Sequence, residues 1–150
     1  MAAYDIRAAI PHREPFLLLD EVLAIGEGEI RARTTLRPDD ELWSRVYAGH
    51  YPGSPITPGV LLCEMMFQAA AVLVHGLAAG DGSAGMPVVT RIQGAKFKNM
   101  VFPGDILEIR ASLTEKLANA FFMKGSVRKD GKTAVEAQFA VALAGGNGGA

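Results

Sequence analysis

The chain has 150 residues, of which 49% are hydrophobic and 21% charged, and its formal net charge at pH 7 is -1. This length fits one domain, and the balanced charge argues against a nucleic-acid partner and against a disordered, highly charged protein. The single cysteine, Cys63, excludes an internal disulfide, so we expect a reducing, cytoplasmic setting.

Two strands and a loop are predicted in the first part of the chain. The apolar run 16–25 (FLLLDEVLAI) indicates a buried strand, and 29–36 (EIRARTTL) alternates as a half-buried strand does. Gly26 and Gly28 predict the turn between them. Four prolines fall within residues 38–58, which we therefore interpret as a loop.

A long apolar helix is predicted to begin at about residue 58. Thr57 is suited to the N-cap, and Pro58 is suited to the first turn, where its missing N–H is not needed. Gly76 or Gly80 can end the helix.

Three polar side chains interrupt this helix and lie on one narrow stripe: Glu64, Gln68 and His75. They favour the core helix of a soluble protein over a membrane span at 59–79. The simpler interpretation of the stripe is a face exposed to solvent. The alternative is a functional site, which is favoured by the neighbouring His50, because prolines restrain the segment that follows it.

Four further strands are predicted after the helix, and Asp130-Gly131 is a strong hairpin signal between the last two. Helices and strands do not alternate, so the order indicates an α+β fold in which an antiparallel sheet wraps around one long central helix. We expect a single domain over residues 1–144 and a flexible, glycine-rich tail over 145–150. The four strands are predicted at 87–98, 105–116, 119–129 and 132–143.

Three groups near the helix start form a possible catalytic set. His50 is a candidate base and Glu64 a candidate acid, while the backbone N–H of Gly59 can donate to an oxygen that gains negative charge. Such a set can remove a proton next to a carbonyl and expel a group from the neighbouring carbon.

Residues 49–64 read GHYPGSPITPGVLLCE, and this stretch closely resembles the active-site segment of the FabZ-type 3-hydroxyacyl-[acyl-carrier-protein] dehydratases, GHFPG-x-PI-x-PGVL-x-x-E. Two flanking stretches are similar to the same family: 10–20 (IPHREPFLLLD), and 95–98 (AKFK) followed by 101–105 (VFPGD). The resemblance spans residues 10 to about 143.

The resemblance implies a hotdog fold and the dehydration of a (3R)-3-hydroxyacyl chain on acyl carrier protein to the trans-2-enoyl chain. His50 would abstract the C2 proton, Glu64 would assist departure of the hydroxyl as water, and the Gly59 amide would hold the thioester carbonyl. The carbonyl of Ile56 would fix the tautomer of His50. Glutamate at 64 favours this branch over the related dehydratase-isomerases, which carry aspartate there.

The resemblance also implies how the protein assembles. It implies a homodimer, which can extend to a trimer of dimers, with the histidine and the carboxylate of each site coming from different subunits. It implies neither a metal nor a cofactor, and its partner would be acyl carrier protein.

The chain departs from the family beside Glu64, where bulky Met65 and Phe67 replace small residues. Either side chain could reshape helix packing or shorten an acyl tunnel. Phe97 and Met100 are further candidates to line the tunnel, and lining the core is their alternative.

The remaining candidates have simpler interpretations. His12 and Arg13 are expected to anchor the N-terminal segment or a subunit contact, and Cys63 to fill the core. His75 is expected to interact with the helix C-terminus. A basic group of Arg91, Lys96 and Lys98 could meet an acidic carrier protein, although exposed strand lysines usually only face solvent.

Two other functions fit the same scaffold. A hotdog thioesterase would use the helix carboxylate to direct water at the thioester, but hydrolysis on this scaffold does not call for a base such as His50. A non-catalytic homologue that binds acyl carrier protein is the third option, and the presence of both His50 and Glu64 argues against it.

Overall fold

The computed structural model describes residues 3–145. Within them the chain forms three helices and six strands. In chain order these are α1 (Ile6–Ala9), β1 (Glu21–Gly26), β2 (Glu29–Thr35), α2 (Glu41–Gly49), α3 (Gly59–Asp81), β3 (Met86–Phe97), β4 (Ile106–Leu117), β5 (Ala120–Lys129) and β6 (Lys132–Ala144). Apart from Gly145, the predicted tail lies outside the described residues.

All six strands belong to one antiparallel sheet with the order β1-β2-β4-β5-β6-β3. The last hairpin turns at Asp130 (φ 50°) and Gly131 (φ 75°), the two consecutive left-handed residues that a tight primed turn needs. The sheet packs against α3, and β3, β4, β5 and β6 each contact it. The α+β architecture predicted from the sequence is confirmed.

Helix α3 is the core of the molecule. Its length and composition alone would allow it to span a membrane, since its most apolar 18-residue window has a mean hydropathy of 1.8. However, 61% of that window is buried inside the fold, as in the core helix of a soluble protein. Cys63 is buried on this helix as predicted, and burial raises the pKa of its thiol.

The interpretation of residues 38–58 as a continuous loop is wrong, because α2 occupies Glu41–Gly49. The four prolines of residues 38–58 lie on either side of α2, and none lies within it. Trp43 and Tyr47, one helical turn apart, are buried and stack with ring centroids 5.8 Å apart. This apolar pair drives the helix against the core.

The predicted first strand begins too early, since β1 starts at Glu21 and residues 16–20 are not part of the sheet. Leu18 and Leu19 are nevertheless buried. The backbone N–H of Leu18 donates to the side chain of Gln68 on α3, and pairing with a strand begins only at Asp20, whose N–H donates to the carbonyl of Arg33 on β2.

Both predicted ends of the long helix need correction. Pro58 is the N-cap, whereas the hydroxyl of Thr57 is bonded to the phenol of Tyr47. The helix continues past Gly76 and Gly80 and ends where Gly82 adopts a left-handed φ of 79°.

Candidate active site

His50 caps the C-terminus of α2, and its backbone N–H donates to the carbonyl of Val46. Its ring Nδ1 lies 2.8 Å from the carbonyl oxygen of Ile56. A carbonyl can only accept, so Nδ1 carries the hydrogen and a neutral ring leaves Nε2 as the acceptor. The ring of Tyr51 packs edge-on against the imidazole, with centroids 4.8 Å apart. The geometry therefore prepares Nε2 to receive a proton.

The loop between α2 and α3 is fixed at its far end by Thr57. The Thr57 hydroxyl and the Tyr47 phenol form a buried hydrogen bond of 2.8 Å, and the Thr57 N–H donates to the carbonyl of Val101 at 2.7 Å. Burial raises the pKa of the Tyr47 phenol, so this group stays neutral. The loop is consequently tied both to α2 and to the segment that follows β3.

A cavity of about 510 Å³ opens at the N-terminus of α3, between the two segments that Thr57 ties together. The first N–H groups of a helix have no intrahelical partner, so Gly59 presents a donor on the wall of this cavity. The cavity is lined by Ile56, Thr57, Gly59, Val60, Leu62, Phe97, Lys98, Asn99, Met100 and Val101.

Gly59 is needed for a reason that the sequence did not reveal. A Cβ at this position would lie 2.5 Å from Cε1 and 2.6 Å from Cδ1 of Phe97. The phenyl ring, and not an empty approach path, occupies the space that a side chain would take. The two residues together form one wall of the cavity.

Glu64 lies on α3, and its side chain is 23% exposed. The amide of Gln68 donates to Glu64 Oε2 at 3.0 Å and to the carbonyl of Phe16 at 2.8 Å. Gln68 is fully buried, so a solvent-exposed stripe is the wrong interpretation at this position. His75 is exposed, farther along the helix.

His12 is a neighbour of Glu64 that the sequence analysis did not identify. Its Nε2 lies 3.6 Å from Glu64 Oε2. Arg13 anchors the N-terminal segment as expected, because its guanidinium donates to the carbonyls of Arg7, Ile10 and His12. The role of Gln68 could have been found from its spacing, since residues four apart on a helix are neighbours. No such local signal marks His12.

The predicted base and acid have separate sets of partners within one chain. Among residues 3–145 no hydrogen bond or ion pair joins His50 to Glu64, and neither residue is among those that line the cavity. Ile56 and Gly59 do line it, so the residue that orients the histidine and the residue with the proposed oxyanion donor border the same cavity.

The four tunnel candidates fall into two groups. Phe97 and Met100 line the cavity and are 58% and 65% exposed. Met65 is completely buried in the core, and Phe67 packs against Phe139 with ring centroids 5.0 Å apart. Only the first pair borders the cavity at the start of α3.

Of the predicted basic group of Arg91, Lys96 and Lys98, one side chain already has an acidic partner. Lys98 forms an ion pair of 2.8 Å with Glu136, and this hydrogen bond is the main cause of the lowered pKa of the Glu136 carboxyl. Arg91 and Lys96 are exposed on β3. Over the described part of the chain, no group of three His, Cys, Asp or Glu side chains is arranged to hold a metal ion.

Comparison with known families places this geometry in context. A family model described as a FabA-like domain matches residues 10–138. The chain is 38% identical to a 3-hydroxyacyl-[acyl-carrier-protein] dehydratase FabZ of Granulibacter bethesdensis over 140 residues, which cover 92% of this chain and 79% of the relative. It is 36% identical to the FabZ of Erythrobacter litoralis over 146 residues, which cover 95% and 94% of the two chains.

Solved structures share the fold at much lower identity. The dehydratase heterocomplex ApeI:P from Xenorhabdus doucetiae aligns with a TM-score of 0.78 at 17% identity, covering 95% of this chain and 92% of that chain. The PaaI protein of E. coli, from a phenylacetic acid degradation operon, aligns with a TM-score of 0.62 at 16% identity, covering 81% and 80%. These alignments establish the hotdog fold.

Proposed function

The chain belongs to the FabA-like family and is a hydro-lyase of fatty-acid synthesis, and we propose that it dehydrates (3R)-3-hydroxyacyl-[acyl-carrier-protein] with His50 as base and Glu64 as acid. The observation that carries the assignment of the base is the contact between His50 Nδ1 and the Ile56 carbonyl, because it leaves Nε2 free to accept a proton. The product is the trans-2-enoyl thioester.

The reaction removes one molecule of water and needs no redox partner. His50 Nε2 takes the proton from C2, and the electrons of that C–H bond form the C2–C3 double bond. The C3–O bond breaks, and the hydroxyl leaves as water with a proton from Glu64. Transfer of the C2 proton from His50 to Glu64, directly or by exchange with solvent, restores the neutral imidazole and the protonated carboxyl group.

The backbone N–H of Gly59 stabilises the negative charge that develops on the thioester oxygen. It stands at the N-terminus of a 23-residue helix, where the dipole and the unpaired donors both favour an anion. One such donor contributes about 3 kcal/mol to transition-state stabilisation in comparable oxyanion sites.

We propose that the working unit is a homodimer in which each site combines His50 of one subunit with Glu64 of the other. The separate partner sets of the two residues support this arrangement, because a single chain does not join them. An assembly that extends to a trimer of dimers is compatible with the same pairing.

The surface around β3 supports dimer formation. β3 is an edge strand of 12 residues, and an edge with exposed apolar side chains is a template for pairing with another chain. Val60, in the first turn of the otherwise buried α3, is 73% exposed. The exposed apolar side chains of this region are Val60, Met86, Val88, Ile92, Phe97 and Met100.

We propose that acyl carrier protein binds to side chains of β3 that point to the faces of the sheet, which pairing of the β3 backbone edge with the other subunit leaves accessible. Arg91 and Lys96 supply exposed positive charge there, whereas the charge of Lys98 is already paired with Glu136. A cytoplasmic location and a single hotdog domain over residues 1–144 complete the proposal.

A thioesterase is the second candidate, and it draws support from the fold alone. A hypothetical thioesterase with coenzyme A from Streptococcus pneumoniae aligns with a TM-score of 0.63 at 14% identity, covering 84% of this chain and 89% of that chain. The oriented base at His50 favours dehydration, since hydrolysis on this scaffold does not call for such a base.

One assay separates the two functions. The protein is incubated with 3-hydroxyacyl chains of short to long length, attached either to acyl carrier protein or to coenzyme A. Enoyl-thioester absorbance is followed together with released thiol. We expect enoyl absorbance without thiol release, and a preference for the carrier protein. Thiol release without enoyl absorbance would overturn the dehydratase proposal.

A further inference from the structure

Glu64 is held from outside its own helix by the segment of residues 10–18, which we call the N-terminal strap. The strap is bonded to α3 through Gln68, whose side chain accepts from the Leu18 N–H at 2.8 Å and donates to the Phe16 carbonyl. Because Gln68 also donates to Glu64, the same amide that secures the strap contacts the proposed acid.

His12 is the side chain of the strap that approaches Glu64 directly. Its Nε2 lies 3.6 Å from Oε2, which is too long for a hydrogen bond and within the range of an electrostatic contact. The backbone around His12 is held in place, because the Arg13 guanidinium donates to the carbonyls of Ile10 and His12. The imidazole is therefore presented to the Glu64 carboxyl group from a fixed position.

Stability alone does not account for a histidine at this position. The other ring nitrogen, Nδ1, is buried and has no hydrogen-bond partner among the described residues. A buried nitrogen without a partner destabilises a fold, and an apolar side chain of similar size would avoid that cost. The compensating interaction on the opposite side of the ring is the contact of Nε2 with the carboxyl group of Glu64.

We propose that His12 is a positioning residue that fixes the orientation of the Glu64 carboxyl group for dehydration. Both neighbours, Gln68 Nε2 and His12 Nε2, lie against the same oxygen, Oε2. They hold Oε2 toward the strap and leave Oε1 to face the substrate and donate the proton to the departing hydroxyl. This inference rests on the proposed function, because it assigns Oε1 a role only in that reaction.

A carboxyl group held by one amide alone can rotate and place either oxygen toward the substrate. Two partners on one oxygen remove that freedom, and a loss of orientation at a catalytic group lowers kcat without weakening substrate binding. His12→Leu is therefore expected to lower kcat about tenfold or more and to leave KM within about threefold. His12→Gln keeps a donor of similar reach and is expected to recover part of the loss.

A double-mutant cycle distinguishes positioning from a structural role. In a Glu64→Gln background, which has no acid to orient, His12→Leu should change kcat less than about twofold. Glu14→Gln is the matched control on the same strap, because Glu14 is exposed and pairs with Arg7, and it should keep the wild-type kcat in both backgrounds. The thermal midpoint of His12→Leu should equal or exceed that of the wild type, since the substitution removes an unpartnered buried nitrogen.

The outcomes separate this inference from the function on which it rests. Absence of enoyl formation by the wild-type protein would remove the proposed function itself. An active wild type with an unchanged kcat in His12→Leu, or an equal loss in both backgrounds, would overturn the role of His12 alone. If His12→Leu is recovered unfolded, His12→Asn, whose side chain is too short to reach Glu64, decides by the same two criteria.

Discussion

The first turn and the middle of α3 belong to one continuous helix, yet they differ in exposure and in what surrounds them. Val60 in the first turn is 73% exposed, whereas Met65, Met66 and Val72 are completely buried. The first turn borders a cavity and presents free backbone donors, while the middle is enclosed by the sheet. An apolar helix can therefore pack in the core over one part of its length and border an interface or a ligand site over the next part.

The polar residues follow the same division. Glu64 stands at the boundary between the two parts, half-buried and bonded to Gln68, which is completely buried. Changes on the first-turn side should alter catalysis and leave stability intact, and changes in the middle should do the opposite.

The largest effect is expected for the two proposed catalytic groups. His50→Ala removes the base and Glu64→Gln removes the acid, and each should lower kcat by about 100-fold or more, the usual range for acid–base groups. Thermal unfolding should change little, because His50 is only partly buried. Single-turnover assays and thermal melts of the same preparations measure both quantities. A fully active His50→Ala protein would place the chemistry elsewhere.

A smaller effect, of the opposite kind, is expected at Gly125, where β5 passes over the middle of α3. A Cβ there would lie 3.0 Å from Cε1 of Phe139, 3.1 Å from Sδ of Met66 and 3.3 Å from the carbonyl oxygen of Arg110. The last of these is backbone and cannot move aside, so Gly125→Ala should lower the free energy of unfolding by about 1–3 kcal/mol.

Urea unfolding measures this change, and kcat should stay at the wild-type value below the transition. Gly76→Ala on α3 is the control glycine substitution, since a Cβ there would meet no atom within 4 Å. That control should equal or slightly exceed the wild type in stability, because alanine favours a helix more than glycine does. A loss of activity without a loss of stability in Gly125→Ala would contradict the assignment of stability to the middle of α3 and catalysis to its first turn.

A third prediction concerns the glycine of the first turn. Gly59→Ala places a methyl group against the ring of Phe97, a half-exposed side chain that can rotate away. We expect KM to rise several-fold as the cavity wall moves, with little change in the free energy of unfolding. In a Phe97→Ala background the ring is gone, and Gly59→Ala should then change KM no further. A large drop in stability would show that the ring cannot move.

The sequence predicted the parts of the fold that depend on local patterns. The four strands after α3 were placed within a residue or so of their observed ends, and the Asp130-Gly131 turn was found, because alternation and turn chemistry are local signals. Helix α2 was not predicted, because the prolines on both sides of it indicated a loop. Its only buried residues are Trp43 and Tyr47, and their burial depends on residues distant in the sequence.

The contacts of the candidate site also divide into local contacts, which the sequence indicated, and long-range contacts, which it did not. The contact between His50 and the Ile56 carbonyl joins residues six apart, and the resemblance to the family implied it. The contacts of Gln68 with Phe16 and Leu18 span 52 and 50 residues of sequence, so only the folded chain brings them together. The approach of His12 to Glu64 is of the same long-range kind.

The smallest effect is expected at the far end of α3, where Asp81 pairs with Lys116. The hydrogen bond from Lys116, followed by those from Ser83, lowers the pKa of the Asp81 carboxyl from 3.8 to about 2. A carboxyl whose pKa is lower in the folded state stabilises the fold above its unfolded pKa, and that stabilisation is lost as the pH falls through the folded pKa.

Asp81→Asn should therefore lower the thermal midpoint slightly at neutral pH, and its difference from the wild type should shrink between pH 4 and pH 2. The effect is small because the pair is exposed and screened by water and salt. Melts across that range, with Lys116→Met as the control that removes the partner, measure it. Activity at neutral pH should not change, because this end of α3 lies away from Glu64 and from the cavity. A pH-independent loss would mean that Asp81 acts through its bonds to Ser83 and not through its charge.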